Sequence, residues 1–174
     1  DAGEMYQAGL IASSNGTDGV QAISTIDVSA DALSGSTRMR IIKDWTLSGS
    51  PVWPSDPCGT YDYGQTEDYT LNVTGGGGGQ EYCEDIFFTF DIEPITKVTV
   101  SNIYNSSDPT VNGSPALEDF TSIVGNMSAG ESYPIALEGN TAGNWTNRFV
   151  VFIDWNQNGV LNDAGEVYQM NNTI

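Results

Sequence analysis

The chain contains no histidine, and its five basic residues face 23 acidic ones. Without histidine it lacks the commonest general base and the commonest transition-metal ligand. A net charge of −18 argues against nucleic acid or an anionic membrane as a partner, because phosphate binding needs lysine and arginine. It suits a surface that gathers cations. Two cysteines, Cys58 and Cys83, are too few for a zinc or iron–sulfur site. They are either a disulfide closing a loop of about 25 residues, worth roughly 3 kcal/mol, or a pair of buried thiols. No apolar run approaches a membrane span, so no membrane insertion is expected. A signal peptide and an initiator methionine are also missing, so the sequence reads as a mature product or a segment of a longer one. There is no nucleophile elbow, HExxH or P-loop.

Hydrophobic residues make up 39% of the 174, enough to bury a core. Nothing shows a helical stripe over three turns. A short helix is expected only near SPALEDFTS, 114–122. RMRIIKDW (38–45), EDYTLNV (67–73), IFFTFDI (86–92), KVTVSNIY (97–104), ESYPIALE (131–138) and NRFVVFIDW (147–155) are rich in β-branched and aromatic residues. Several alternate with period two. Turn signals separate them, among them Asn15-Gly16, Asn112-Gly113 and Asn158-Gly159. This predicts an all-β chain, an antiparallel β-sandwich. The glycine run at 74–79 reads as a linker between residues 1–73 and 80–174. A glycine-rich loop inside one domain is the alternative.

The acidic stretch DWNQNGVLNDAGE, 154–166, carries the most specific chemistry. Asp154, Asn156 and Asn158 fall at relative positions 1, 3 and 5, Gly159 permits a sharp turn at 6, and Val160 offers a carbonyl at 7. This is the first half of an EF-hand calcium loop. Position 12 is Gly165 rather than glutamate, and the preceding segment is strand-like, so an EF-hand fold is not expected. An EF-like Ca2+ loop in a β protein is, with Asp163 and Glu166 closing the cage; an ion-free Asx-turn loop is the rival reading. The same phrase recurs, since DAGEMYQ at 1–7 matches DAGEVYQ at 163–169. The repeat suggests a tandem array sampled across a unit boundary. Asp1 and Glu4 then form a half-site that needs ligands from a neighbouring copy or upstream sequence.

Other candidates are structural first. Arg38 and Arg40 alternate on one strand face and are expected to meet Glu67 or Asp68 across a sheet. Trp53, in SPVWPSDP, is the best candidate for a glycan contact among four tryptophans. The acid clusters Glu81, Glu84, Asp85 and Glu118, Asp119 are not expected to be catalytic, because adjacent strand residues face opposite ways. Asn-x-Ser/Thr sequons at 15, 72, 105, 112, 126, 144 and 171 would carry N-glycans only in a eukaryotic secreted chain. Lys43 and Lys97 are the only lysines, and an isopeptide cross-link is expected from neither.

A family resemblance runs through these segments. GSTRMRI (35–41) and CGTYDYGQTEDYTLNV (58–73), with GQTEDYT at 64–70, resemble the end of the GEVED domain. YC (82–83), SAGESYPIAL (128–137) and FIDWNQNGVLNDAGEVYQ (152–169) resemble its beginning. The resemblance implies a β-sandwich repeat of large secreted or cell-surface proteins of Bacteroidota, many exported by type IX secretion. The order is reversed here, which implies the back part of one module (1–73) followed by the front part of the next (80–174). Such halves would complement one another within the chain, as a permuted module, or complete neighbouring copies by strand donation. The expected function is a non-catalytic, calcium-stabilised repeat of an adhesin or extracellular fibre; the alternative is an accessory module of a secreted peptidase or glycoside hydrolase, for spacing, targeting or glycan binding.

Overall fold

The computed structural model describes residues 5–46, 53–74 and 81–162. Its architecture follows from strands that are apolar on both faces. In β11 (Thr146–Ile153), Phe149, Val151 and Ile153 join the main core, whereas Val150 and Phe152 join a second cluster. β3 (Gly35–Thr46) divides likewise, with Met39 and Ile41 on one side and Ile42 on the other. Strands covered on both faces read as continuous apolar runs, which is how these two look in the sequence.

Eleven strands are described. The first sheet runs β1 (Met5–Ala12), β11, β3, β5 (Gly64–Val73) and β9 (Leu117–Met127). The second runs β2 (Ala22–Asp27), β10 (Ser132–Gly139), β7 (Ile95–Val100) and β8 (Ile103–Ser106). The sheets stack as a β-sandwich over the main core, where Ile26, Leu71, Val98 and Ile135 are all fully buried. Most pairings are antiparallel; β5 with β9 is parallel. Each sheet contains strands from both sides of the glycine run, so residues 5–73 and 81–162 build one sandwich between them.

The short helix expected near 114–122 is instead the start of β9. Beside the open edge of β5, this segment gains a ladder of backbone hydrogen bonds that an isolated short helix could not match. β9 bulges there: Tyr69 pairs with Phe120, but Thr70 pairs with Val124. The Thr70 hydroxyl donates to the Thr121 carbonyl inside the bulge at 2.8 Å. The run 97–104 is a hairpin rather than one strand, turning at Ser101, whose φ is +51°. From the run 86–92 only Phe87–Phe88 is a strand (β6), paired with β4 (Thr60–Tyr61).

The outer face of the first sheet carries a third layer. Trp53, Tyr61, Tyr82 and Phe88 pack over Ile42, Val150, Phe152 and Leu161. A disulfide joins Cys58 to Cys83 across this layer, with the Cα atoms 6.0 Å apart.

Candidate functional site

The acidic loop leaves the end of β11 beneath the third layer. Asp154 is fully buried, whereas Asn156, Asn158 and Val160 are exposed. The backbone curls around the Asp154 carboxylate. Its Oδ1 accepts the Asn158 N–H at 3.1 Å, and its Oδ2 accepts the Gly159 N–H at 2.8 Å and the Tyr82 hydroxyl at 2.8 Å. Two further Asx turns follow: Asn156 Oδ1 accepts the Asn158 N–H at 3.0 Å, and Asn158 Oδ1 accepts the Val160 N–H at 2.8 Å. The curl needs left-handed backbone at Gln157 (φ +55°) and Gly159 (φ +88°). Glycine meets the second demand without strain. The Gln157 side-chain amide anchors the first by donating to the Leu33 carbonyl at 2.7 Å.

Burial, with the neighbouring Asp154 charge, holds the Tyr82 phenol above its ordinary range, so it stays a donor to that carboxylate. Thr37 donates its hydroxyl to the Asp154 carbonyl, and Leu33 N–H bonds the Trp155 carbonyl at 2.9 Å. The loop is thus tied to β3, to the segment before it and to the third layer. Its donor set, side-chain and backbone oxygens only, is what a hard divalent cation takes. Asp154 Oδ1 accepts one hydrogen bond and keeps capacity for a further contact. Among the described residues Asp154 joins no salt bridge, so its buried charge has hydrogen bonds but no cation. Asp163 and Glu166, the residues expected to close the cage, lie outside the described residues, as do Asp1 and Glu4. No group of three or more acidic or cysteine ligands gathers around one point among the described residues.

The arginines are placed by register. Arg40 pairs with Asp68 across β3 and β5. Its Nε and Nη2 donate to the Asp68 carboxylate at 2.7 and 2.6 Å, and Arg38 Nη1 donates to the same carboxylate at 2.5 Å. Arg40 also donates to the carbonyls of Pro57 and Cys83, at 2.9 and 2.7 Å, binding both flanks of the disulfide. Glu67 faces the other side of β5, where it accepts the hydroxyls of Tyr69 and Ser107. Burial pushes its carboxyl up to about 8.

Trp53 is half-buried, with the Arg148 guanidinium 5.0 Å over its ring. A different aromatic group borders open space at the end of the sandwich. Trp45, Tyr63 and Trp145 line a cavity of about 320 Å³ with Asp91 and Glu93. Trp45 meets Tyr63 and Trp145 edge to face, and Trp145 is 55% exposed. Sequence reasoning missed this cluster because its members come from four separate segments. Glu81, Glu84 and Asp85 line a second, polar cavity with Arg38 and Tyr82. Glu118 accepts the Gln65 side-chain amide at 3.0 Å, and the backbone N–H of Thr121 donates to Asp119 at 2.9 Å.

Fold and loop together define an all-β sandwich module with a carboxylate-centred Asx loop at one strand end. Residues 5–72 match the family model of the GEVED domain, so that stretch is similar to the GEVED-domain family. The match takes in β1 to β5 up to Asn72, including the arginine–Asp68 cluster. No curated protein and no solved structure matches the chain.

Proposed function

We propose that this chain is a non-catalytic, calcium-stabilised β-sandwich repeat of a secreted or cell-surface protein, serving as a stiff module in an adhesin stalk or extracellular fibre. The observation that carries this reading is the Asp154 carboxylate. It is wholly buried, without a basic partner among the described residues, at the head of a loop that gathers oxygen donors. Asp154, Asn156, Asn158 and the Val160 carbonyl would hold Ca2+, with Asp163 and Glu166 closing the shell. The ion would neutralise a buried charge and lock the loop against β3 and the third layer. Asp1 and Glu4 would serve the equivalent loop of a neighbouring copy, so such copies are the partners this reading implies. The interleaving of strands supports a module complemented within its own chain over strand donation between subunits.

Thermal unfolding in EDTA and then in Ca2+, beside Asp154→Ala, tests the reading. Binding at 100 times the dissociation constant adds about 2.7 kcal/mol, which for a domain of this size is roughly 5–10 °C. The wild type should gain that with Ca2+, and the variant should not respond. An unchanged wild-type transition would leave an ion-free Asx-turn loop.

The aromatic-lined cavity supports a second reading, a glycan-binding accessory module of a secreted hydrolase, with the contacts at Trp45 and Trp145 rather than Trp53. Glycan-array signal that survives Trp145→Ala would count against it.

A further inference from the structure

Lys43 is fully buried in the sandwich interior. Its ammonium donates to the Glu93 carbonyl at 2.9 Å and lies 3.5 Å from Glu93 Oε2. That same Oε2 accepts the side-chain amide of Asn147 at 2.6 Å. Asn147 is fully buried, and its Oδ1 has no hydrogen-bond partner. One carboxylate oxygen therefore touches both an amine and a carboxamide, away from bulk water.

The strands bring this about. β3 and β11 are antiparallel neighbours, with Lys43 opposite Phe149 and Trp45 opposite Asn147. Lys43 and Asn147 are thus diagonal neighbours on one face, a separation that a long side chain spans. Gly139 makes room for the lysine stem, since a Cβ there would come within 2.7 Å of Lys43 Cε. Glu93 is fixed by its N–H bond to the Gly64 carbonyl at 3.1 Å. As a structural ion pair the arrangement is poor, with a long contact and an amide oxygen left unpaired at a cost. As a reaction site it brings together an amine, a carboxamide and a carboxylate in contact with both.

We propose that Lys43 and Asn147 join in an intramolecular isopeptide bond, with Glu93 transferring the protons. Burial lowers the Lys43 ammonium to about 8, against the opposing charge of Glu93, so the neutral amine is accessible near neutral pH. Glu93 takes a proton from Lys43, and the freed Nζ lone pair attacks Asn147 Cγ. The tetrahedral centre collapses with cleavage of the Cγ–Nδ2 bond as Glu93 returns the proton to the departing nitrogen. Ammonium leaves with both amide hydrogens and two of the three lysine hydrogens. The third stays on the new amide, and Glu93 ends as it began. No oxidant or cofactor takes part. Glu93 also lines the aromatic cavity, which gives the ammonia a way out. The bond would clip two central strands at the opposite end of β11 from Asp154, and it does not depend on the ion.

The test is intact-mass measurement of the full chain, denatured and with its disulfide reduced. The wild type should be lighter than its sequence by one ammonia, and Lys43→Arg and Glu93→Gln should have their full sequence mass. Asn15-Gly16, Asn112-Gly113 and Asn158-Gly159 can lose the same mass as succinimides, so tandem mass spectrometry of a digest must find a branched peptide holding residues 43 and 147. A folded wild type at full sequence mass, or ammonia loss without that peptide, overturns the proposal. Circular dichroism checks that Glu93→Gln folds. A folded Glu93→Gln variant that still cross-links overturns the role given to Glu93.

Discussion

Replacing Asp68 with alanine removes a buried carboxylate that two arginines share. Asp68 is 1% exposed and Arg40 is wholly buried, and Arg38 bonds the same carboxylate. Removing one partner of a buried pair strands the other charge, which costs about 3–5 kcal/mol. The loss should fall toward the upper end, because two guanidiniums lose their counterion at once. Arg40 keeps its bonds to the Pro57 and Cys83 carbonyls, which anchor it but carry no full charge. For a domain of this size, 1 kcal/mol shifts the midpoint by roughly 2–4 °C, so Asp68→Ala should melt about 10–15 °C lower. Tryptophan fluorescence and far-UV circular dichroism should report the same transition. Lys97→Ala is the internal control, because Lys97 is partly exposed and Glu138 keeps the Gln21 side-chain amide when the lysine is removed. Arg40→Met with Asp68→Leu should recover much of the loss, because a buried pair exchanged for apolar groups of similar size is often neutral. If Asp68→Ala melts no lower than Lys97→Ala, the charge cluster does not hold the third layer to the sheet, and the reasoning fails.

Two further outcomes follow from single residues. Glu67 has its carboxyl raised from 4.5 to about 8 by burial, against the hydroxyls of Tyr69 and Ser107. Between those values the unfolded chain is ionised while the folded one keeps its proton. Glu67 therefore contributes stability that is full below 4.5 and is lost as pH rises to about 8. Glu67→Gln should flatten that part of the profile in urea unfolding, and a variant slope equal to wild type would exclude Glu67 as its source. Gly64 has φ +151°, and a Cβ there would sit 1.9 Å from the Lys43 carbonyl oxygen, so Gly64→Ala should give little folded protein. Gly130 has φ +81° with open space around it, so Gly130→Ala should cost only about 1–2 kcal/mol of backbone strain. Equal losses in a urea titration would show that crowding at Gly64 is relieved.

The sandwich was legible where burial leaves a strong pattern. β3, β5, β10 and β11 carry apolar runs or alternation long enough to exclude a helix, and each forms within a few residues of its expected place. β1 and β2 were not singled out, because MYQAGLIA and AISTID are short and mixed and become strands only beside β11 and β10. β9 misled for a related reason: its register along β5 skips three residues, which breaks the period a strand should show. Asp154 and its Asx turns were readable because loop chemistry is local. Lys43, Glu93 and Asn147 were not. They lie on two strands and a loop far apart in sequence, and nothing local marks their meeting.

The glycine run illustrates how a composition signal can be read two ways. It parts the sequence, yet β11 lies between β1 and β3, β10 between β2 and β7, and β9 beside β5. Separating the strands before the run from those after it would break five pairings and bare sheet edges that invite association. Neither set can bury the main core alone, since Ile41 and Leu71 come from one side and Val98, Ile135 and Val151 from the other. The unit that folds is therefore the pair of segments together. The charged residues follow the same logic. Arg40 with Asp68 secures the third layer, and Lys43 with Glu93 lies near the opposite end of β3 from Thr37, which bonds the Asp154 carbonyl. Of the chain's five basic residues, Arg38, Arg40 and Lys43 lie on β3 and reach a carboxylate on another segment.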